Sequence, residues 1–163
     1  MKNSFAALLI LLVASAAHAQ YQQVNLTVFG MDCAPCAHAI RVSMKGIQGV
    51  NTINVDLNTG LVAVTLAPLN TATMRQFNQA VEKNGFTHKA ANITVRGTLS
   101  GTVAAPSLEV TGTQDHYALA SNSTDINLSP LMGKQVLVVG VLPQASRGSL
   151  PDQLRYSSIA EAK

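Results

Sequence analysis

The chain has only two cysteines, and both lie in one short stretch, Gly30-Met31-Asp32-Cys33-Ala34-Pro35-Cys36. Two thiols with two residues between them converge on one spot when a loop enters a helix. That spot holds a soft metal ion or closes into a disulfide. A bridge across so small a ring constrains little of the unfolded chain, so stability is a poor reason for it. Cysteines this close more often carry chemistry than hold up a scaffold. A strand-to-helix junction would present this stretch.

The flanking patterns supply that junction. Val24, Leu26 and Val28 alternate with Asn25, Thr27 and Phe29, which predicts a half-buried strand before the cysteines. After them, Ala37, Ile40, Met44 and Ile47 recur at helical spacing, and Gly46 and Gly49 end the helix. Val50 to Leu57 and Val62 to Leu66 alternate around Asn58-Thr59-Gly60, a hairpin pattern. Asn70 or Thr71 is the expected cap of a second helix with a Met74, Phe77 and Val81 stripe, stopped at Asn84-Gly85. Phe86 to Ala91 supplies a last short strand. The order strand, helix, strand, strand, helix, strand is the ferredoxin-like βαββαβ arrangement, so the fold class is α+β.

These residues resemble the heavy-metal-associated (HMA) domain family. The matching positions are Gly30-Met31-x-Cys33-x-x-Cys36, Ile40, Gly49-Val50, Val55, Val62, Val64 and Gly85-Phe86. The family includes exported mercury-binding proteins, copper chaperones and amino-terminal domains of metal-pumping ATPases. The resemblance implies that Cys33 and Cys36 are metal ligands for Cu(I), Zn(II) or Hg(II). Soft thiolates select such ions, and a helix mouth favours the thiolate form. Two thiolates suffice for Cu(I) or Hg(II), whereas zinc usually takes four ligands. An exposed pair also leaves room for a partner's thiols, which favours transfer over storage. Asp32 is similar to the carboxylate of zinc-, cadmium- and lead-exporting relatives and is a candidate third ligand; the alternative is a helix cap. Met31 reads as an apolar anchor of the loop, and Pro35 suits the first helical turn. Phe86 shields the site or belongs to the core. His38 reads as a surface residue, and His88 and His116 as isolated.

The first nineteen residues read as a cleaved signal peptide. Lys2 precedes an apolar run, Phe5 to Ala17, and Ala17-His18-Ala19 has the small-x-small form of a cleavage site. The run is about 13 residues, short of the ~20 that a membrane-spanning helix needs. No cysteine stands at the cleavage point, which argues against a lipoprotein. Export to the periplasm or beyond is expected, with no membrane span in the mature chain. The net charge of +3 is spread without a basic run, and there is no tryptophan, so a nucleic-acid surface has little support.

From about Asn92 the pattern changes. Ile93 to Leu99, Leu108 to Gly112, Tyr117 to Leu119, Lys134 to Leu142 and Leu154 to Ile159 read as short strands. Turns are expected at Ala105-Pro106, Gln114-Asp115, Ser129-Pro130 and Ser146-Arg147-Gly148, with one helical stripe at Asp125 to Met132. This half loosely resembles a small OB-fold-like barrel, with Gly97, Gly112 and Gly140 as bends. The expected organisation is a signal peptide at 1–19, a heavy-metal-associated domain at 20–91 and a small β-barrel-like domain at 92–163, with a short junction at Ala91-Asn92.

The leading function is an exported soft-metal-binding protein, without catalysis, that captures an ion and passes it to a partner such as a metal transporter or envelope protein. Two alternatives stand beside it. One is a thiol–disulfide redox protein, against which Asp32 stands where thioredoxin-like sites carry Trp. The other is an interaction module with both cysteines oxidised.

Overall fold

Residues 20–121 and 126–162 are described by a computed structural model. The expected signal peptide, and Asp125 at the start of the expected helical stripe, lie outside them. The elements are β1 (Tyr21–Phe29), α1 (Ala34–Lys45), β2 (Val50–Asp56), β3 (Leu61–Leu66), α2 (Met74–Glu82) and β4 (Thr87–Thr102). They continue as β5 (Ala105–Val110), β6 (His116–Ser121), a 3-10 turn (Ser129–Leu131), β7 (Gln135–Leu142) and β8 (Gln153–Glu161).

The first six elements form a ferredoxin-like unit with sheet order β2-β3-β1-β4, every pair antiparallel. Val24, Leu26 and Val28 are buried as their alternation requires, with Val62 and Val64 beside them in the same cluster. Ala37, Ile40 and Met44 of α1 and Met74, Phe77 and Val81 of α2 join this cluster, which continues into the second half of the chain. Each of the larger side chains contributes roughly 1.5–3 kcal/mol on burial. The cap of α2 is Thr73, not Asn70 or Thr71: Gln76 Oε1 accepts the Thr73 N–H at 2.9 Å. Asn70 is instead buried, and its amide donates to Tyr21 O and Ala67 O, both at 2.9 Å. It ties β1 to the loop before α2.

β4 joins the halves. The two strands expected at Phe86 to Ala91 and Ile93 to Leu99 are one strand, so the expected junction at Ala91-Asn92 lies inside it. Along one edge β4 pairs β1 from Thr87 to Val95 and then β5 from Gly97 to Thr102. Along the other it pairs β7 from Ala91 to Thr98. Pairing continues from β5 to β6, from β6 to β8 in parallel, from β8 to β7, and so back to β4. The pairings of the second half thus form a ring.

Leu99, Leu108, Val110, Tyr117, Val136, Val138, Leu154 and Tyr156 are buried in that half. Gly97 and Gly140 are close approaches of backbone. A Cβ would stand 2.4 Å from Glu109 O at the first and 2.5 Å from Arg155 O at the second. Ala105-Pro106, expected as a turn, begins β5, because the β4–β5 hairpin turns earlier, between paired Thr102 and Ala105. The helical stripe expected up to Met132 yields only the 3-10 turn in its described part.

Candidate metal centre

Gly30 ends β1 with φ +87°, a left-handed conformation that glycine adopts without a Cβ penalty. The chain then turns, and Met31 drops into the core at 3% exposure. This is the anchoring role its position predicts. Asp32 stays exposed. Cys33 takes extended backbone angles, φ −132° and ψ 150°, and is the N-cap of α1. Its Sγ accepts the Cys36 N–H at 3.1 Å, and its carbonyl accepts the first intrahelical bond from Ala37 N at 3.0 Å. The cap is therefore a sulfur, and the capping alternative for Asp32 is set aside. Pro35 lies in the first turn, where a missing N–H costs nothing.

Both sulfurs are half-buried and bonded to each other as a disulfide, with Cα atoms 5.1 Å apart. The ligand atoms of Asp32, Cys33 and Cys36 all lie within 4.8 Å of one another. All three residues singled out in the sequence are thus brought together. Reduced, this group offers two soft donors and one hard donor at the N-terminus of α1, the positive end of the helix dipole. It is the one such cluster of metal-ligating side chains among the described residues.

The surroundings are less legible in the sequence. Phe29, at the end of β1, is 65% exposed, and the Lys89 ammonium stands 4.8 Å from its ring centroid. With Asp32, Asn58 and Thr59 these two residues line an open depression of about 470 Å³. The cation–ring contact arises because β1 and β4 pair antiparallel with Phe29 opposite Thr87, and no local pattern announces it. Phe86 is partly buried against the core, its Cδ1 3.7 Å from the point a Gly30 Cβ would occupy. His38 and His116 are exposed. His88 is not isolated: it is buried, with Nε2 3.0 Å from Glu82 Oε1.

The ferredoxin-like unit, with a Cys-x-x-Cys pair at its first strand-to-helix junction, defines a heavy-metal-associated domain. The profile of that family matches residues 25–87, and the chain belongs to it. It is homologous to the mercuric transport protein periplasmic component of Serratia marcescens, 31% identical over 86 residues, which are 53% of this chain and 93% of that protein. The copper chaperone CopZ of Staphylococcus saprophyticus is 34% identical over 62 residues, 38% of this chain and 90% of its own. Among solved structures, the yeast copper transporter domain Ccc2a is 28% identical, with a TM-score of 0.38 over 41% of this chain and 90% of that one.

Proposed function

We propose that this protein is an exported carrier of a soft metal ion, captured by Cys33 and Cys36 with Asp32 as third ligand. The observation that carries the reading is the convergence of those three donors within 4.8 Å at the mouth of α1. Homology to a mercuric transport component and to a copper chaperone supports it. Capture starts from the dithiol. A dithiol reductant gives two electrons and two protons to the disulfide and is itself oxidised; the ion then displaces the thiol protons. Two thiolates on an open face accommodate Hg(II) or Cu(I) and leave room for a partner's thiolates, so the ion passes on by ligand exchange. Asp32 adds a hard oxygen that suits Zn(II). The periplasm is the proposed location, and a metal transporter the proposed partner.

The second half, residues 92–163, we read as an OB-like barrel that serves as a docking module. The closed ring of pairings and the parallel β6–β8 pair support this. No helix among the described residues is long and apolar enough to cross a membrane.

The test is a titration of the reduced, oxygen-free protein with Cu(I), Zn(II) and Hg(II) against competing chelators. Tight one-to-one binding, lost in the double cysteine variant, is expected. Absence of competitive binding by any of the three would overturn the reading. The bond between the two sulfurs favours a second reading, a redox or oxidised interaction module, for which the reduction potential is the deciding measurement.

A further inference from the structure

Helix α2 has no acidic residue in its first turn and no basic residue in its last. Helix ends leave bare N–H groups at one terminus and bare carbonyls at the other, with partial charges to match. Both ends of α2 are met by charged side chains from the second half. Asp115, just before β6, accepts the Met74 N–H on Oδ2 at 2.8 Å. Arg147, in the β7–β8 loop, donates from Nη2 to Glu82 O at 2.7 Å. The same loop donates from Gly148 N to Glu82 Oε1 at 3.0 Å, and Arg75 Nη1 donates to Gly148 O at 3.3 Å. Asp115 at the N-terminus and Arg147 at the C-terminus each have the sign that the helix dipole favours.

The two ends differ in what lies beyond them. The chain leaving the C-terminal end runs through Gly85 and Phe86 into β4. Gly85 N donates at 3.0 Å to the same Glu82 carbonyl that Arg147 holds. Phe86 Cδ1 stands 3.7 Å from the point a Gly30 Cβ would occupy, and Thr87 is in register with Phe29. A small cavity of about 110 Å³ lies between them and the loop, lined by Phe86, His88, Gln144 and Arg147. The N-terminal end, held by Asp115, is about 13 Å away along the helix at 1.5 Å per residue.

We propose that Arg147 of the second half is a positioning residue for the cysteine loop. By holding Glu82 O it fixes the Gly85-Phe86 link, and through Phe86 the seat of Gly30 at the start of that loop. The meaning of this for metal release rests on the carrier reading above; the positioning itself does not.

The experiment uses the full chain, first without metal. Arg147→Ala is compared with Asp115→Asn by amide hydrogen exchange and NMR shifts, and then by the rate of Cu(I) loss to a chelator. In Arg147→Ala, exchange at Gly85 to His88 and at Gly30 and Met31 is expected to rise about three- to tenfold, the scale of a lost helix-end contact. Cu(I) loss should quicken, and Arg147→Lys should restore most of both. Asp115→Asn should perturb Met74 and leave Gly30 unmoved. Unchanged Gly30 and Phe86 signals in Arg147→Ala, or equal changes in Asp115→Asn, would overturn the proposal. Changed Gly30 signals in a protein that binds none of Cu(I), Zn(II) and Hg(II) would support the positioning and refute the carrier reading.

Discussion

Tyr21 of β1 and Tyr117 of β6 bring their hydroxyls to 2.8 Å, and Tyr21 donates a second contact to Asp115 Oδ2 at 2.7 Å. The two halves are pinned here by a buried polar network. Burial above all, with the neighbouring tyrosine and Asp115 adding to it, holds Tyr21 well above the ordinary tyrosine range. Burial and then the Asp115 charge do the same for Tyr117. A phenol that keeps its proton longer when folded adds stability that is complete below its unfolded pKa and is lost as pH rises above it. Stability should therefore fall from pH about 10 upward, by about 1.4 kcal/mol per pH unit for each tyrosine. Urea denaturation between pH 8 and 11.5 reads this slope, and the double Tyr→Phe variant should lose that part of it.

Cys33→Ser and Cys36→Ser should each abolish tight binding of Cu(I) or Hg(II). The fold should survive. Closing so small a ring stabilises by no more than about 2 kcal/mol, and a serine hydroxyl at position 33 accepts the Cys36 N–H as well as a sulfur does. Chelator competition and thermal melts of the same samples check both halves of this statement.

Asp32→Ala separates the hard donor from the soft ones. Because Cys33, not Asp32, caps α1, the stability change should stay within about 0.5 kcal/mol. Affinity for Zn(II) or Cd(II) should drop much further than affinity for Cu(I). Equal losses for all ions would remove Asp32 from the ligand set.

A fragment ending at Ala91 should fold poorly. It cuts β4 where Ile93, Thr94 and Val95 pair β1, and it strips Asp115 and Arg147 from the ends of α2. Circular dichroism should show loss of cooperative melting relative to the full chain, and a fragment extended to Thr102 should recover only the β1 pairing.

Gly140→Ala should destabilise by about 1–3 kcal/mol, because the new methyl meets Arg155 O at 2.5 Å and Tyr156 Cα at 2.9 Å. The neighbours are backbone in the paired β8 and have little room to yield. Denaturant midpoints of the two proteins decide it.

Much of the first half was legible in the sequence because its signals are local. The period-two run through Val28, the helical stripe from Ala37 to Met44 and the turn at Gly60 each specify their own element. The cysteine pair could be placed at a strand-to-helix junction for the same reason. What escaped depends on partners far along the chain. Asn70 has the chemistry of a cap, yet its amide is drawn to Tyr21 O, 49 residues away. His88 looks solitary until α2 and β4 pack and Glu82 meets it. Asp115 reads as a turn residue, and only the closed arrangement of β4 to β8 carries it to Met74. The cap of α1 by Cys33 is locally encoded, yet sulfur is a weak acceptor and the neighbouring Asp32 carboxylate a stronger one, so the pattern alone points to Asp32.

The ring of pairings has a consequence for how copies of this chain meet. Among the described strands, every one from β1 and β3 to β8 has neighbours on two sides, and β2 alone has one. An open sheet exposes two edges to recruitment by other chains; here one has been folded back onto β4. The edge left is seven residues long and bears Asn51, Thr52, Asn54 and Asp56, polar groups that discourage a stranger strand. Growth by strand addition has one entrance, and it is short and well hydrated.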